Sequence, residues 1–173
     1  RMTEELFNIL NSGYANGIVQ RLARFDLYRS IVPNQAQLFV DNPNYKQQLL
    51  RRLTLLDEKR TEYGPLERAD VLVFLIADYL LDYGPFTGGQ RIPFRDAYYS
   101  VKEFLAPVTP ANKEVERAIN TVFQNKGRIL HDEAPEHLEK TAKRKRARKR
   151  GRRRKRSSTD DNAPAETFQQ QTG

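Results

Sequence analysis

The sequence predicts an all-α fold, an antiparallel helical domain of roughly six or seven helices followed by a disordered basic tail. Apolar residues recur at the i, i+3 and i+4 spacing of helices, and no strand alternation stands out. Gly and Pro interrupt this pattern at short intervals, which predicts short loops and antiparallel neighbours. Apolar residues nearly vanish after Glu139, where the chain cannot bury a core. We therefore expect a helical body over residues 1–138 and a disordered tail over residues 139–173.

The first two predicted helices lie before Pro33. Thr3 is the predicted N-cap of the first helix, acidic residues occupy its first turn, and Ser12-Gly13 ends it. Gly17 lies inside the second helix, where glycine lowers stability, and we expect it to mark close packing against a neighbouring helix. The apolar residues of the second helix are Ala15, Ile18, Val19, Leu22 and Phe25, and the pattern continues through Leu27, Ile31 and Val32.

The next two helices lie between Asn42 and Gly84. Asn42-Pro43 predicts an N-cap followed by Pro at the first helical position. The core stripe that follows is Tyr45, Leu49, Leu53 and Leu56. Residues 66–83 lie between two Tyr-Gly-Pro stops and are apolar nearly all round, which predicts a buried central helix. Its acidic arc, interpreted as a solvated or salt-bridged stripe, is Glu67, Asp70, Asp78 and Asp82. Its longest apolar run, residues 71–77, is far shorter than the ~20 residues that span a bilayer.

Two more helices complete the predicted body. Residues 86–92 are expected to form a loop, and Pro93 opens a helix that ends at Pro107. Thr109-Pro110 opens the last helix, which is expected to continue to about Leu130. Their apolar faces are Phe94, Ala97, Tyr98, Val101 and Leu105 in the first, and Val115, Ala118, Ile119, Val122 and Phe123 in the second.

Positive charge is concentrated in one short segment. The net charge is +8, yet residues 1–139 carry 17 Lys/Arg against 19 Asp/Glu, whereas residues 140–156 carry 13 Lys/Arg and no acid. We call residues 140–156 the basic run. Such a run binds phosphates, and without aromatic side chains it discriminates poorly between bases. A nuclear localisation signal or a solubilising tail is the alternative. The candidate RNA-binding residues of the run are Lys140, Lys143, Arg144, Lys145, Arg146, Arg148, Lys149, Arg150, Arg152, Arg153, Arg154, Lys155 and Arg156.

The body adds scattered basic residues that could contribute to RNA binding. Arg21 and Arg24 are i, i+3 neighbours opposite the apolar stripe of their helix. A solvated face is the alternative interpretation for each group. The candidates on the body are Arg21, Arg24, Arg51, Arg52, Arg91 and Arg95.

Catalytic and metal-binding patterns are missing from the sequence. There is no cysteine, and His131 and His137 do not share a helical face, so we expect no metal site. Gly88-Gly89 lacks the preceding strand and the following Lys of a phosphate-binding loop. No Asp-x-Asp pair is present that could hold two Mg²⁺ ions for phosphoryl transfer. No residue is therefore assigned a catalytic role.

The N-terminal stretch resembles the start of a known helical body. Residues 1–15 read RMTEELFNILNSGYA, an acidic pair within a hydrophobic helix that is followed by Ser-Gly. The next helix ends in a cluster of Leu22, Phe25 and Leu27 before Pro33. This order is similar to the RNA-binding body of bacterial poly(A) polymerases and related tRNA nucleotidyltransferases. The resemblance extends to about residue 130 in the order of elements, with residues 66–83 in the place of the family's apolar helix.

The resemblance implies the C-terminal, RNA-binding part of a poly(A) polymerase, which adds AMP from ATP to RNA 3′ ends in RNA processing and decay. The Arg-rich tail favours this branch over the CCA-adding enzymes. The family's apolar helix usually carries an aromatic residue, often Trp, near its end, and Tyr79 and Tyr83 would take its place here. The family's catalytic head, which uses ATP and Mg²⁺, has no match, and we expect it to precede Arg1.

The implied partners are single-stranded RNA 3′ ends and RNA-decay proteins, in the cytoplasm and without a membrane. The alternative is a non-enzymatic helical adaptor whose basic tail binds nucleic acid or directs the protein to a nucleus.

Overall fold

The computed structural model describes residues 1–86, 92–126 and 130–131, the last pair by backbone alone. The chain divides into two units, Arg1–Glu133 and Ala134–Gly173, and every described residue belongs to the first. The basic run, Arg91 and the predicted boundary at residue 138 lie outside the described residues.

The described part of the first unit is helical, which confirms the predicted all-α class. It contains eight α-helices, one π-helical segment and one pair of two-residue strands. The helices are α1 Met2–Leu10, α2 Ala15–Arg24, α3 Tyr28–Ile31, α4 Pro33–Asp41, α5 Pro43–Tyr63, α6 Arg68–Asp78, α7 Phe94–Leu105 and α8 Asn112–Asn125. The strands are β1 Ile92–Pro93 and β2 Leu130–His131, which pair in parallel.

Helix α6 is the centre of the packing, as its apolar sequence predicts. It packs between α5 and α8, while α2 and α4 pack on α5, and α7 contacts α4 and α8. Its buried residues are Ala69, Val71, Leu72, Leu75, Ile76, Ala77 and Asp78, and Val73 and Phe74 are half-buried. No helix in the described ranges has both the length and the apolar composition needed to cross a membrane.

The central helix changes its winding after Asp78. The segment Tyr79–Tyr83 is π-helical, with one extra residue in the turn, and the amide of Gly84 donates to the carbonyl of Tyr79. A Cβ atom at Gly84 would lie 2.7 Å from that carbonyl oxygen. The second Tyr-Gly-Pro stop therefore needs glycine for space, since no larger residue fits against the last turn.

Three predictions in the N-terminal half are wrong. Helix α1 begins at Met2, so Thr3 is not its N-cap; the Thr3 hydroxyl instead accepts a hydrogen bond from the amide of Thr109 at 3.0 Å. Gly17 does not mark close packing, because a Cβ atom added there would meet no atom within 4 Å. Helix α2 ends at Arg24, so Phe25 and Leu27 do not continue its apolar face and are 68% and 52% exposed, whereas Val32 is buried as its place in the apolar pattern predicts.

The other differences concern the ends of elements. Helices α3 and α4 lie before Asn42, and the sequence does not predict them as separate helices because both lack a long apolar repeat. Helix α8 begins at Asn112 and ends at Asn125, so its predicted continuation to Leu130 is wrong: Leu130 pairs with Ile92 in the short strands.

The predicted core positions of the longer helices are confirmed. All four residues of the α5 stripe are buried, as are all five of the α8 face. On α7 four of the five predicted residues are buried, and Phe94 is half-buried. The helices with the clearest 3.6-residue period therefore form the core around α6.

Candidate nucleic-acid interface

Helix α2 is held in place by side chains of α5. The Asp57 carboxylate accepts hydrogen bonds from the amides of Ala15 at 2.7 Å and Asn16 at 3.0 Å, which are the first two residues of α2. The Asn16 side chain donates in turn to the carbonyl of Leu50 at 3.2 Å. An anion at a helix N-terminus satisfies free amides and complements the helix dipole. Helix α5 therefore fixes both the start and the direction of α2.

The junction of α4 and α5 places a cation opposite α2. The Asn42 side chain accepts hydrogen bonds from the amides of Asn44 and Tyr45, both at 3.1 Å, which confirms the predicted cap of α5. One position later, the Lys46 ammonium lies 5.2 Å from the centre of the Phe39 ring on α4. This contact holds Lys46 against α4.

A groove of about 750 Å³ opens between α2, α4 and α5. Its lining includes three basic residues and no acidic one. Residues of α2 form one wall, and residues of α4 and α5 form the other. The lining residues are Gly17, Gln20, Arg21, Ala23 and Arg24 from α2, Phe39 and Val40 from α4, and Pro43 and Lys46 from α5. We call this feature the basic groove.

The cations of the basic groove have no acidic partner among the described residues. Arg21 and Arg24 are exposed and form neither an ion pair nor a side-chain hydrogen bond within that part of the chain. Their position in the last turn of α2 suits the negative end of the helix dipole. The helix dipole does not explain Lys46. This residue is the fourth of α5, where the dipole disfavours a cation, and the first turn of α5 has no acidic residue. The groove therefore offers uncompensated positive charge to an anion.

A buried polar network lies behind the α4–α5 wall. The Tyr28 hydroxyl donates to the Gln35 side-chain oxygen at 2.7 Å, and the Gln35 amide donates to the Tyr45 hydroxyl at 2.8 Å and to the Leu75 carbonyl at 3.2 Å. Burial raises the pKa of both phenols well above its ordinary value, so they stay neutral. The network joins α3, α4 and α5 to α6, and the edge of the Tyr28 ring also contacts Phe39. The wall is thus tied to the core.

Among the other candidate cations, Arg52 has a different environment. Its guanidinium makes two bonds of 2.6 Å to the Asp78 carboxylate, whose side chain is only 6% exposed. Arg51 is exposed on α5 outside the groove lining, and Arg95 lies 6.0 Å from the Tyr99 ring on α7. The structure therefore brings Arg21 and Arg24 together and leaves these other described candidates apart from them.

Lys46 is the groove residue that the sequence analysis missed. The signal was available, because the Asn42-Pro43 cap places Lys46 in the first turn of a helix that has no acid there. A cation at this position works against helix stability, which favours a role outside the helix.

The acidic arc of the central helix is used in ion pairs, as its salt-bridged interpretation predicts. Glu67 and Asp70 both pair with Arg117 on α8, the second at 3.5 Å, and Asp78 pairs with Arg52. Asp82 is exposed. Among the described residues, no three His, Cys, Asp or Glu side chains are grouped so that they could hold a metal ion.

Comparison of the chain with protein-family models, with curated proteins and with solved structures found no match. The resemblance to poly(A) polymerases rests on the sequence motifs alone. The structural feature that points to a function is the basic groove.

Proposed function

We propose that this chain is an RNA-binding helical domain whose ligand is the phosphate backbone of single-stranded RNA. The observation that carries the proposal is the segregation of charge. The basic run has 13 cations and no acid, and the groove lining has three cations and no acid. Acids elsewhere on the body, such as Glu67 and Asp78, are paired with arginines. Phosphodiesters are the ligands that such isolated positive charge binds, through charge-assisted hydrogen bonds and counterion release.

The two basic regions would contribute in different ways. The run, which has no aromatic residue, supplies affinity that does not depend on base sequence. The groove is built on helices that are fixed by Asp57 and by the network around Gln35, so it holds phosphates at defined positions. Phosphate contacts of this kind set the register of the strand.

The resemblance supports a more specific proposal. In it, the domain holds RNA 3′ ends for a poly(A) polymerase whose catalytic head uses ATP and Mg²⁺ and lies outside this chain. RNA-decay proteins would be partners, and the site of action would be the cytoplasm. With ATP, Mg²⁺ and an RNA primer, we expect the chain alone to leave the primer length unchanged. Primer extension by the chain alone would contradict this assignment of the chemistry.

A salt titration of RNA binding tests the contribution of the basic run. If about six cations neutralise phosphates of a single strand, log affinity falls with log salt at a slope near −4. Replacing Arg152, Arg153, Arg154 and Arg156 together by Ala should weaken binding to all RNA sequences about equally and flatten the slope.

The matched control replaces the same four arginines by Lys, which keeps the charge and should keep most of the slope. If the Ala variant retains both the affinity and the slope of the intact chain, the run is not the RNA site. A targeting or adaptor role would then account better for its charge.

A further inference from the structure

Gly17 has no structural reason to be glycine. It is the third residue of α2, in the first turn, where glycine is less favourable for the helix than Ala. It does not have the positive φ that favours glycine, and a Cβ atom there would meet nothing within 4 Å. Neither the backbone conformation nor the packing of the described residues therefore requires the absence of a side chain.

The other described glycines each have such a reason. Gly13 and Gly64 have φ angles of +82° and +79°, which side chains with a Cβ atom rarely adopt. Gly84 has no room for a Cβ atom beside the Tyr79 carbonyl. Gly17 is thus the exception among the described glycines, and it lines the basic groove. Close approach of a ligand to the backbone is one of the uses of glycine that does not depend on the protein's own packing.

Gly17 continues the cationic face of α2. Arg21 and Arg24 follow it at i+4 and i+7, so the three residues share one face of the helix. From Gly17 to Arg24 this face is about 10 Å long, since a helix rises about 1.5 Å per residue. That length matches roughly three stacked nucleotides at about 3.4 Å each. Lys46 lines the opposite side of the same groove.

We infer that the basic groove is a seat for a short stretch of RNA backbone, which crosses α2 in contact with Gly17. Arg21, Arg24 and Lys46 bind its phosphates, and Val40, which is 65% exposed, offers an apolar surface to a ribose or base. The missing side chain at Gly17 lets the strand approach the helix closely enough for all three cations to reach it. This inference rests on the proposed RNA-binding function and assigns the groove its part in it.

The test compares the stability and the RNA affinity of Gly17→Ala in the full chain. The midpoint of thermal unfolding should rise, because Ala is the better helix residue and meets no obstruction. The affinity for a labelled oligoadenylate should fall about tenfold. The salt slope should stay unchanged, since no charge is removed. If Gly17 were needed only for structure, Gly17→Ala would lower the stability and leave the RNA affinity of the folded protein unchanged.

A second variant tests the cations. Lys46→Gln should flatten the salt slope by about 0.7, the contribution of one phosphate contact on a single strand. The matched control is Lys113→Gln, which removes the same charge from an exposed position on α8, outside the groove lining. This control should change the slope less.

The outcomes separate the two proposals. If the intact chain does not bind oligoadenylate at all, the proposed RNA-binding function fails. If the intact chain binds and both Gly17→Ala and Lys46→Gln bind with the same affinity and slope, the groove is not the seat, while the proposed function stands. Higher stability together with lower affinity for Gly17→Ala supports the inference.

Discussion

Two neighbouring helices present arginine in opposite settings. On α5, Arg52 forms two bonds to the buried carboxylate of Asp78 and closes the core. On α2, Arg21 and Arg24 face the basic groove without an acidic partner among the described residues. The difference shows that the fold itself supplies an acidic partner for Arg52 and supplies none among the described residues for Arg21 and Arg24. Burial and pairing, rather than residue type, separate the structural arginine from the candidate binding arginines.

The largest expected effect is the loss of the ion pair between the half-buried Arg52 and the buried Asp78. Arg52→Ala leaves the Asp78 carboxylate unpaired in the core, and we expect a loss of about 3–5 kcal/mol in the free energy of unfolding. The matched change Arg21→Ala removes an exposed arginine and should cost less than about 1 kcal/mol. Urea denaturation of both variants measures the two values. Equal losses of unfolding free energy in the two variants would contradict the conclusion that Arg52 is structural and Arg21 is not.

The next test extends the contrast between core and groove to two glycines, Gly84 in a tight turn and Gly17 in the groove lining. Gly84→Ala forces a Cβ atom against the Tyr79 carbonyl, and we expect a loss of about 1–3 kcal/mol from this overpacking. Gly17→Ala in the open groove should gain up to about 1 kcal/mol, which is the value for a helix interior. Thermal unfolding of the two variants should show a lower midpoint for Gly84→Ala and a higher midpoint for Gly17→Ala. A neutral Gly84→Ala would show that the π-helical turn can rewind without cost.

High pH should lower the stability of the folded state through two tyrosines buried behind the groove wall. Tyr28 and Tyr45 have raised pKa values because they are buried, so the folded state keeps protons that the unfolded chain releases above pH of about 10. Stability is then fully present below that pH. Above it, stability falls by about 1.4 kcal/mol per pH unit for each tyrosine. Denaturation at several pH values measures this slope, and Tyr45→Phe should make it shallower by removing the contribution of one buried phenol. An unchanged slope in that variant would contradict the role of the buried phenol.

The smallest expected effect comes from removing the tail. Truncation after Glu139 should leave the unfolding midpoint nearly unchanged, because the predicted apolar core positions precede that residue. Thermal unfolding of the truncated chain measures it. A large drop would show that the basic run stabilises the acidic body, and the division of roles between body and run would need revision.

Periodicity allowed most of the helical core to be predicted. The stripe on α5 and the faces of α7 and α8 repeat with the period of a helix, and burial follows from that repeat. The same reasoning placed Phe25 and Leu27 in the core, but α2 ends first, and Asp26 with its φ of 58° turns the chain away. A pattern of apolar residues does not by itself show where a helix stops.

The site was harder to predict because partners lie far apart in sequence. Arg52 and Asp78 are separated by 26 residues, so the residues next to Arg52 in the sequence do not show that it is paired. The predicted packing role of Gly17 is wrong because a sequence shows where a side chain is absent but not what fills the space. Arg21 and Arg24 were identified from charge alone, and Lys46 joined them only when α4 and α5 were in place.

Helix α2 begins on a carboxylate that comes from a later part of the chain. Asp57 accepts hydrogen bonds from the amides of Ala15 and Asn16, 42 and 41 residues earlier in sequence. A helix of ten residues without a local side-chain cap is marginal on its own in water. During synthesis from the N-terminus, α2 therefore gains a stable form only after Asp57 has left the ribosome and α5 has docked. Shorter nascent chains carry Arg21 and Arg24 on an unformed helix, so the basic groove is complete only when its two walls have folded together.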